Sequence, residues 1–260
     1  MIDIIFVIFM GLIFGSFMNV LIYRLPRGIS IITPRSYCPL CQSKINMFDN
    51  IPLISFIMLK GKCRNCGGRI SLRYPIVEVT YTIVLLCLLL QFGMTKDFLY
   101  FAIFLFFAIA AAFCDIYTLL DEKFETGIIP DSLNYIGILA GLVLSFFLYN
   151  NFLDSLLGVI IGFLLLYVPN VIYRIFRKAD GIGGGDMKLL ALCGAFLGYK
   201  SILFVLLIGS FTGAILGILI IMFTKNKYFP IPFGPFIALG AIITIYYNDY
   251  FLKVLGLKVM

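Results

Sequence analysis

The sequence predicts an all-α, polytopic integral membrane helix bundle of seven or eight spans with one small cytosolic zinc-binding insert. An apolar composition, eight apolar runs and a single long polar segment with paired cysteines carry that expectation. Of 260 residues, 62% are hydrophobic and only 13% charged, whereas a soluble domain carries about 25% charged residues. At a mean hydropathy of +1.07, a soluble monomer would leave more apolar surface in water than such folds tolerate. The chain has no histidine, which excludes Ser-His-Asp and Cys-His nucleophile systems and every histidine metal site. Any acid–base chemistry must use other side chains.

The apolar runs fall at about 4–22, 76–92, 98–114, 133–149, 154–173, 187–198, 201–223 and 233–251. A span needs about 20 apolar residues. The sixth run is short enough that it crosses only by tilting, thinning the bilayer or starting below the interface, which leaves seven or eight spans. No basic residue precedes the first run, and Arg24 and Arg27 follow it. Residues 1–23 therefore read as a retained anchor with an outside N-terminus rather than a cleavable signal. With eight spans, 16 of the 20 basic residues fall in loops on the inner side, leaving Lys96, Lys200, Lys253 and Lys258 outside. That bias is what cytoplasmic loops show. The net charge of +7 thus reports topology and contact with membrane lipid; the basic residues are spread over several loops without interleaved aromatics, so no nucleic-acid partner is expected. Glycines four apart, at Gly137/Gly141, Gly158/Gly162, Gly194/Gly198 and Gly209/Gly213/Gly217, suit close helix packing in lipid.

Residues 24–75 form the long polar segment and contain Cys38-Pro-Leu-Cys41 and Cys63-Arg-Asn-Cys66, with 21 residues between the pairs. Two such pairs are close to the usual spacing of a four-thiolate zinc site, each bending back to offer two sulfurs. Disulfides are the alternative, disfavoured by a reducing cytosolic location. Four thiolates leave no open coordination position, so this zinc is expected to hold the insert in shape without doing chemistry. Cys87, Cys114 and Cys193 lie in apolar runs and read as small buried hydrophobes.

Only 13 acidic residues occur, and several gather where spans meet the inner side. Asp115 ends the third run, Asp121, Glu122, Glu125 and Asp131 follow, and Asp186 closes Gly183-Gly-Gly-Asp186 at the start of the sixth. Ionisable groups at membrane depth are costly and mark functional candidates. If the spans bearing Asp115 and Asp186 pack together, two carboxylates can share one proton, one serving as base to a water and the other as acid to a carbonyl oxygen. The glycines before Asp186 favour close approach of an extended peptide; a plain turn with Asp186 as helix cap is the alternative. Asp131, after Ile129-Pro130, is expected to cap the fourth span, and Asp154 and Asp249 fall on the outer side.

These residues resemble the type IV prepilin peptidases, membrane-embedded aspartic proteases with a GxGD signature. The similarity covers nearly the whole chain: Gly15-Ser-Phe-Met-Asn-Val-Leu-Ile-Tyr-Arg-Leu-Pro26, the double CxxC segment with Asn50-Ile-Pro-Leu-Ile-Ser55 between the pairs, Arg73-Tyr-Pro-Ile-Val-Glu78, Ile129-Pro-Asp131, Gly183-Gly-Gly-Asp-Met-Lys-Leu189 and Pro232-Phe-Gly-Pro235. The resemblance implies Asp115 and Asp186 as the catalytic pair and cleavage of the short basic leader of type IV prepilin or pseudopilin substrates at the cytosolic face of the bacterial inner membrane. In members that also N-methylate the new N-terminus it implies S-adenosylmethionine as methyl donor. One departure is visible: the family's first aspartate stands closer to the proline of Ile-Pro-Asp, whereas Asp115 precedes Pro130 by 15 positions and the rival Asp121 by nine. Asp115 is preferred because it ends the apolar run and is fixed at the membrane edge, while Asp121 rides on the inserted loop.

The expected organisation is an anchor (1–23), a zinc-binding insert (24–75) and a peptidase bundle (76–260), with a mobile loop 116–130 and the glycine-rich stretch receiving an unwound leader. An ion-coupled transporter is the reading from another class, since intramembrane acids and glycine-broken helices also serve ion pathways. It would place its carboxylates near the bilayer midplane.

Overall fold

Apolar runs of this length have to satisfy their backbone groups within the segment, and in lipid that means helices. The computed structural model describes residues 1–224 and 231–254; among these the regular elements are helices, with no strand beyond two isolated bridges in the insert. The helices are α1 (Ile2–Arg24), α2 (Ile54–Met58), α3 (Arg73–Phe92), α4 (Lys96–Leu119), α5 (Asp131–Tyr149), α6 (Phe152–Arg177), α7 (Gly184–Thr224) and α8 (Gly234–Val254). Six helical stretches among the described residues are long and apolar enough to cross a membrane, the last of them Gly184–Ile220; the protein is a multi-pass membrane protein. Lys225, Lys227 and Lys258, assigned to loops by the charge rule, lie outside the described residues, as does the side chain of Asp249.

The chain forms two compact units, Met1–Ala102 and Ile103–Met260. In the first, α1 and α3 run antiparallel in close contact. A methyl added at Gly11 would lie 2.7 Å from Thr82 Cα, and one at Gly15 would lie 2.7 Å from Glu78 Cα. One turn further along, Asn19 Nδ2 donates to Tyr74 O at 3.1 Å. The insert joins the ends of these two helices, and two copies of one turn shape it. Cys38 N donates to Ser43 O and Cys63 N to Gly68 O, while Gln42 N and Gly67 N return to Cys38 O and Cys63 O. Each turn needs a left-handed residue, supplied by Gln42 (φ 59°) and Gly67 (φ 69°).

In the second unit the glycine spacing does what the sequence suggests. α6 lies against the first half of α7 so closely that a methyl on Gly158 would strike Gly194 O, and one on Gly162 would lie 2.7 Å from Leu190 O. α5 flanks the same stretch, with Gly137 on Leu192 and Gly141 on Ala195, and Phe104 of α4 stacks on Phe196 at 4.9 Å. The core of this unit is therefore the short sixth run, whose Leu189, Leu190, Leu192 and Cys193 are fully buried.

The sixth and seventh apolar runs form a single helical stretch broken at one point. Gly198 adopts φ 74°, ψ 171°, which a residue with a side chain rarely adopts. Before it, the chain runs antiparallel to α6. After it, α7 returns alongside α8, with Ser201 on Asn248, Gly209 on Phe236 and Gly217 on Ile231. α7 is thus a bent-back pair, and its first arm of about 14 residues is only about 21 Å long, short of the roughly 30 Å hydrocarbon core. Two expectations are corrected here. Cys87 is exposed on α3, although Cys114 and Cys193 are buried. The loop before Ile-Pro-Asp begins at Leu120, because α4 carries on to Leu119.

Candidate active site

Asp115 sits on the last turn of α4 and is 5% exposed. Two segments close around it. Gly234 N at the start of α8 donates to Asp115 Oδ2 at 2.9 Å. Gly127 abuts Oδ1 so tightly that any Cβ there would collide with the carboxylate. Thr118, 1% exposed, then ties the returning loop down: its Oγ donates to Cys114 O at 2.7 Å and accepts from Ile128 N at 2.7 Å. The inserted segment is therefore closed at its base, and Ile129 emerges at a fixed place. Methyls added to Gly185 and Gly234 would lie 2.9 and 3.1 Å from Ile129, so this side chain brings the Asp186 loop and the start of α8 together.

Asp186 is the third residue of α7. It does not cap the helix; Gly184 and Gly185 are already helical, and Gly185 packs on Ile129, which also meets Gly234 beside Asp115. Its Oδ1 is buried with no hydrogen-bond partner among the described residues. Asn134, fully buried on α5, donates from Nδ2 to Gly185 O at 3.4 Å and so steadies the peptide before Asp186. Ahead of it, Asn170 Oδ1 accepts from Gly181 N at 2.8 Å and Ile182 N at 3.0 Å, pinning the glycine loop to α6. Asp131 does not cap α5, whose first residue it is; it pairs with Lys188 at 2.6 Å. That pair occupies the lysine nearest Asp186 in sequence. Asp121, the rival for the first aspartate, accepts from Lys123 N at 3.1 Å within its own turn.

Two neighbouring carboxylates, Asp115 buried and Asp186 partly so, can share one proton, the arrangement for acid–base attack of water on an amide without histidine or a catalytic metal. Gly127, Thr118, Asn134 and Asn170 carry no sequence signal of their own, and Lys188 is marked only by its place in the stretch after Asp186. What marks them is contact with another segment, from 10 positions away for Thr118 to 57 for Lys188.

The second cluster lies in the insert. The sulfurs of Cys38, Cys41, Cys63 and Cys66 all lie within 4.8 Å of one another, with Cys38 and Cys66 4.0 Å apart. A tetrahedral zinc with bonds of about 2.3 Å sets its sulfurs about 3.8 Å apart, so the set fits that ion. The chemistry of the donors agrees. Hydrogen bonds from Ser43, side chain first and then backbone, hold the Cys41 thiol down to about 6, and backbone bonds at Cys66 and Asn65 lower Cys63. Cys66 accepts a backbone bond at Gly68 that favours its thiolate, yet the sulfurs of Cys41 and Cys63 push it up to about 11. Two lowered thiols beside a raised one make a donor set that a cation would complete.

The comparisons with known proteins follow the same division. The bacterial peptidase A24 N-terminal domain matches residues 9–92, and the type IV leader peptidase family matches residues 102–218. A prepilin leader peptidase/N-methyltransferase of Burkholderia pseudomallei is 31% identical over 280 residues, covering 96% of this chain and 87% of the relative. The chain belongs to the type IV leader peptidase family. It is a membrane peptidase, and nothing in these likenesses favours a transporter. A type 4 prepilin-like proteins leader peptide-processing enzyme of Escherichia coli is 34% identical, with 93% of each chain covered. A prepilin leader peptidase/N-methyltransferase of Myxococcus xanthus is 36% identical over 85% of this chain, which spans 64% of that longer relative. No solved structure matches the chain.

Proposed function

We propose that this leader peptidase removes the short basic leader of prepilin or pseudopilin substrates at the cytosolic face of the bacterial inner membrane, with Asp115 and Asp186 as its proton-sharing pair. The observation that carries the reading is the convergence of these two carboxylates around Ile129, Gly127 and Gly234. One carboxylate takes a proton from water as the oxygen attacks the scissile carbonyl carbon. The other, protonated, gives its proton to the carbonyl oxygen, and collapse of the tetrahedral intermediate transfers a proton to the departing amine. Backbone donation from Gly234 fixes the orientation of Asp115, while the unpartnered Oδ1 of Asp186 can meet the water or the carbonyl oxygen. The short first arm of α7 lets Asp186 lie below the membrane face, where a leader unwinds from its apolar helix.

The 16-to-4 distribution of basic residues supports an outside N-terminus and a cytosolic site. Asp121, Glu122 and Glu125 offer the basic leader an acidic loop. The insert 24–75 holds a structural zinc through Cys38, Cys41, Cys63 and Cys66, and the chemistry of cleavage belongs to 76–260. The relatives' names also carry an N-methyltransferase, for which S-adenosylmethionine would supply the methyl group to the new amino terminus.

The test is mass spectrometry of a prepilin-like peptide incubated with the purified, lipid-reconstituted protein. Asp115→Asn and Asp186→Asn each keep the side-chain shape without the transferable proton, and each is expected to lower cleavage by about 10²–10⁴-fold. Asp121→Asn should keep cleaving, with at most a modest rise in KM from the lost attraction for the basic leader. Normal cleavage by Asp115→Asn with a dead Asp121→Asn would show that the pair is misassigned.

A further inference from the structure

The insert carries a surface that neither carboxylate nor thiol chemistry uses. A 3-10 turn, Met47–Asn50, and helix α2, Ile54–Met58, are locked together by Ser55, whose Oγ accepts from Ile51 N at 2.9 Å and donates to Phe48 O at 2.8 Å. Around this knot Met47, Phe48, Ile54, Ile57 and Met58 stand exposed, Met47 by 83% and Phe48 by 77%. Ile54, Ile57 and Met58 share one face of α2, because residues three and four apart align on a helix.

Two observations say what covers these side chains. The first is depth. Leu53 N donates to Glu78 Oε2 at 2.8 Å, and Glu78 lies five residues inside the membrane span that begins at Arg73, about 7.5 Å along its axis. The knot is thus tied beside the end of a membrane helix and cannot lift away into water without breaking that bond. The second is charge. Residues 24–75 contain nine basic residues and one acid, Asp49, which is already held by Arg64 at 2.7 Å. Lys60 and Lys62 follow the apolar face directly, and both are exposed.

We propose that residues 47–58 are an interfacial anchor whose apolar face enters an anionic lipid surface while Lys60 and Lys62 meet its phosphate headgroups. Amphipathic segments of this kind sit about 5–10 Å into the boundary between headgroups and acyl chains, the depth at which Glu78 holds Leu53. A basic leader peptide is the wrong occupant for a face framed by lysines. The anchor would steady the cysteine insert against the membrane, so that its position responds to lipid composition.

The chain contains no tryptophan, so Phe48→Trp and Met58→Trp each create a single fluorescent reporter in the full-length protein. Each variant is reconstituted into phosphatidylglycerol or phosphatidylcholine bilayers brominated near the glycerol end of the acyl chains, and quenching is compared with that by aqueous acrylamide. Both reporters should be quenched severalfold more by bromine than by acrylamide, more strongly in phosphatidylglycerol. Adding Lys60→Gln and Lys62→Gln should remove the advantage of the anionic lipid. Strong acrylamide quenching with little from bromine would place the face in water and overturn the proposal. So would shielding from both quenchers, which would mean a protein cover, or loss of bromine quenching when a prepilin-like peptide is added. Equal bromine quenching in the two lipids would overturn the role given to charge.

Discussion

The two clusters are built in opposite ways. The cysteine cluster is made twice from one local turn, each copy closing over six residues, 38–43 and 63–68, with the same pair of backbone bonds. The aspartate cluster is made once, from residues 115, 127, 129, 186 and 234, held by contacts that reach 119 positions along the chain. A local turn survives changes elsewhere in the molecule. A carboxylate gripped between the returning loop and the start of α8 tolerates almost none, because reacting groups must be held to within about 0.5 Å. The insert and the catalytic end should therefore fail independently.

The largest effect expected from a residue without chemistry of its own is at Gly127. Alanine there would drive its Cβ into Asp115 Oδ1, and the loop cannot retreat easily because Ile128 N is bonded to Thr118. The carboxylate would then have to leave Gly234 N. A misplacement of about 1 Å can cost about 10²-fold in rate, so Gly127→Ala should lower kcat by about that factor. Leader affinity and thermal unfolding of the reconstituted protein should change little. Unaltered kcat would show that Asp115 has more room than the packing allows.

Much of this was legible beforehand, for reasons that differ by region. Apolar runs declare helices because lipid leaves the backbone no alternative, and each run is found within a helix. The cysteine spacing is a local signal, and the four sulfurs do converge. Other features were not readable. Whether the run at 187–198 crosses alone depended on Gly198, one glycine among 24, whose positive φ turns the chain back. Asp131 looked like a helix cap because capping is a local inference, but its partner Lys188 is 57 positions away. Cys87 looked buried because an apolar run does not say which face meets lipid. The closure of the inserted loop by Thr118 also escaped, since a threonine hydroxyl inside an apolar helix carries no pattern.

A middle-sized effect is expected where the two regions are set against each other directly. Cys38→Ser with Cys41→Ser removes half of the thiolates, so metal analysis of the purified protein should fall from about one zinc per chain to none. Proteolysis within 24–75 should speed up. Cleavage of the leader should fall less than in Asp186→Asn, because a closed four-thiolate site activates no water. A metal-free wild type, or cleavage as low as in Asp186→Asn with the bundle still folded, would break the separation. If the relatives' second activity is present, methyl transfer measured in the same samples shows whether it depends on the insert.

The smallest effect belongs to the ion pair beside the cysteines. Arg64 makes a two-pronged contact with Asp49, through Nε at 2.9 Å and a second nitrogen at 2.7 Å. Those hydrogen bonds, and then the guanidinium charge, hold the Asp49 carboxyl below the usual carboxylate range. A lowered folded value means that any stabilisation is fully present above the unfolded value of about 3.9. It is lost only as the pH falls through the lower folded one. Between mild acid and neutrality the contribution is therefore constant. It is also small, since the Arg64 side chain is 63% exposed and exposed pairs are weakened by side-chain entropy and by salt. Asp49→Asn should accelerate amide exchange in the insert slightly, equally at neutral and mildly acid pH, and less at high salt. Its metal content and leader cleavage should stay at wild-type levels. A large increase in exchange that high salt does not diminish would mean that Asp49 is a structural strut of the insert, and the two cysteine turns would then not be sufficient to shape it.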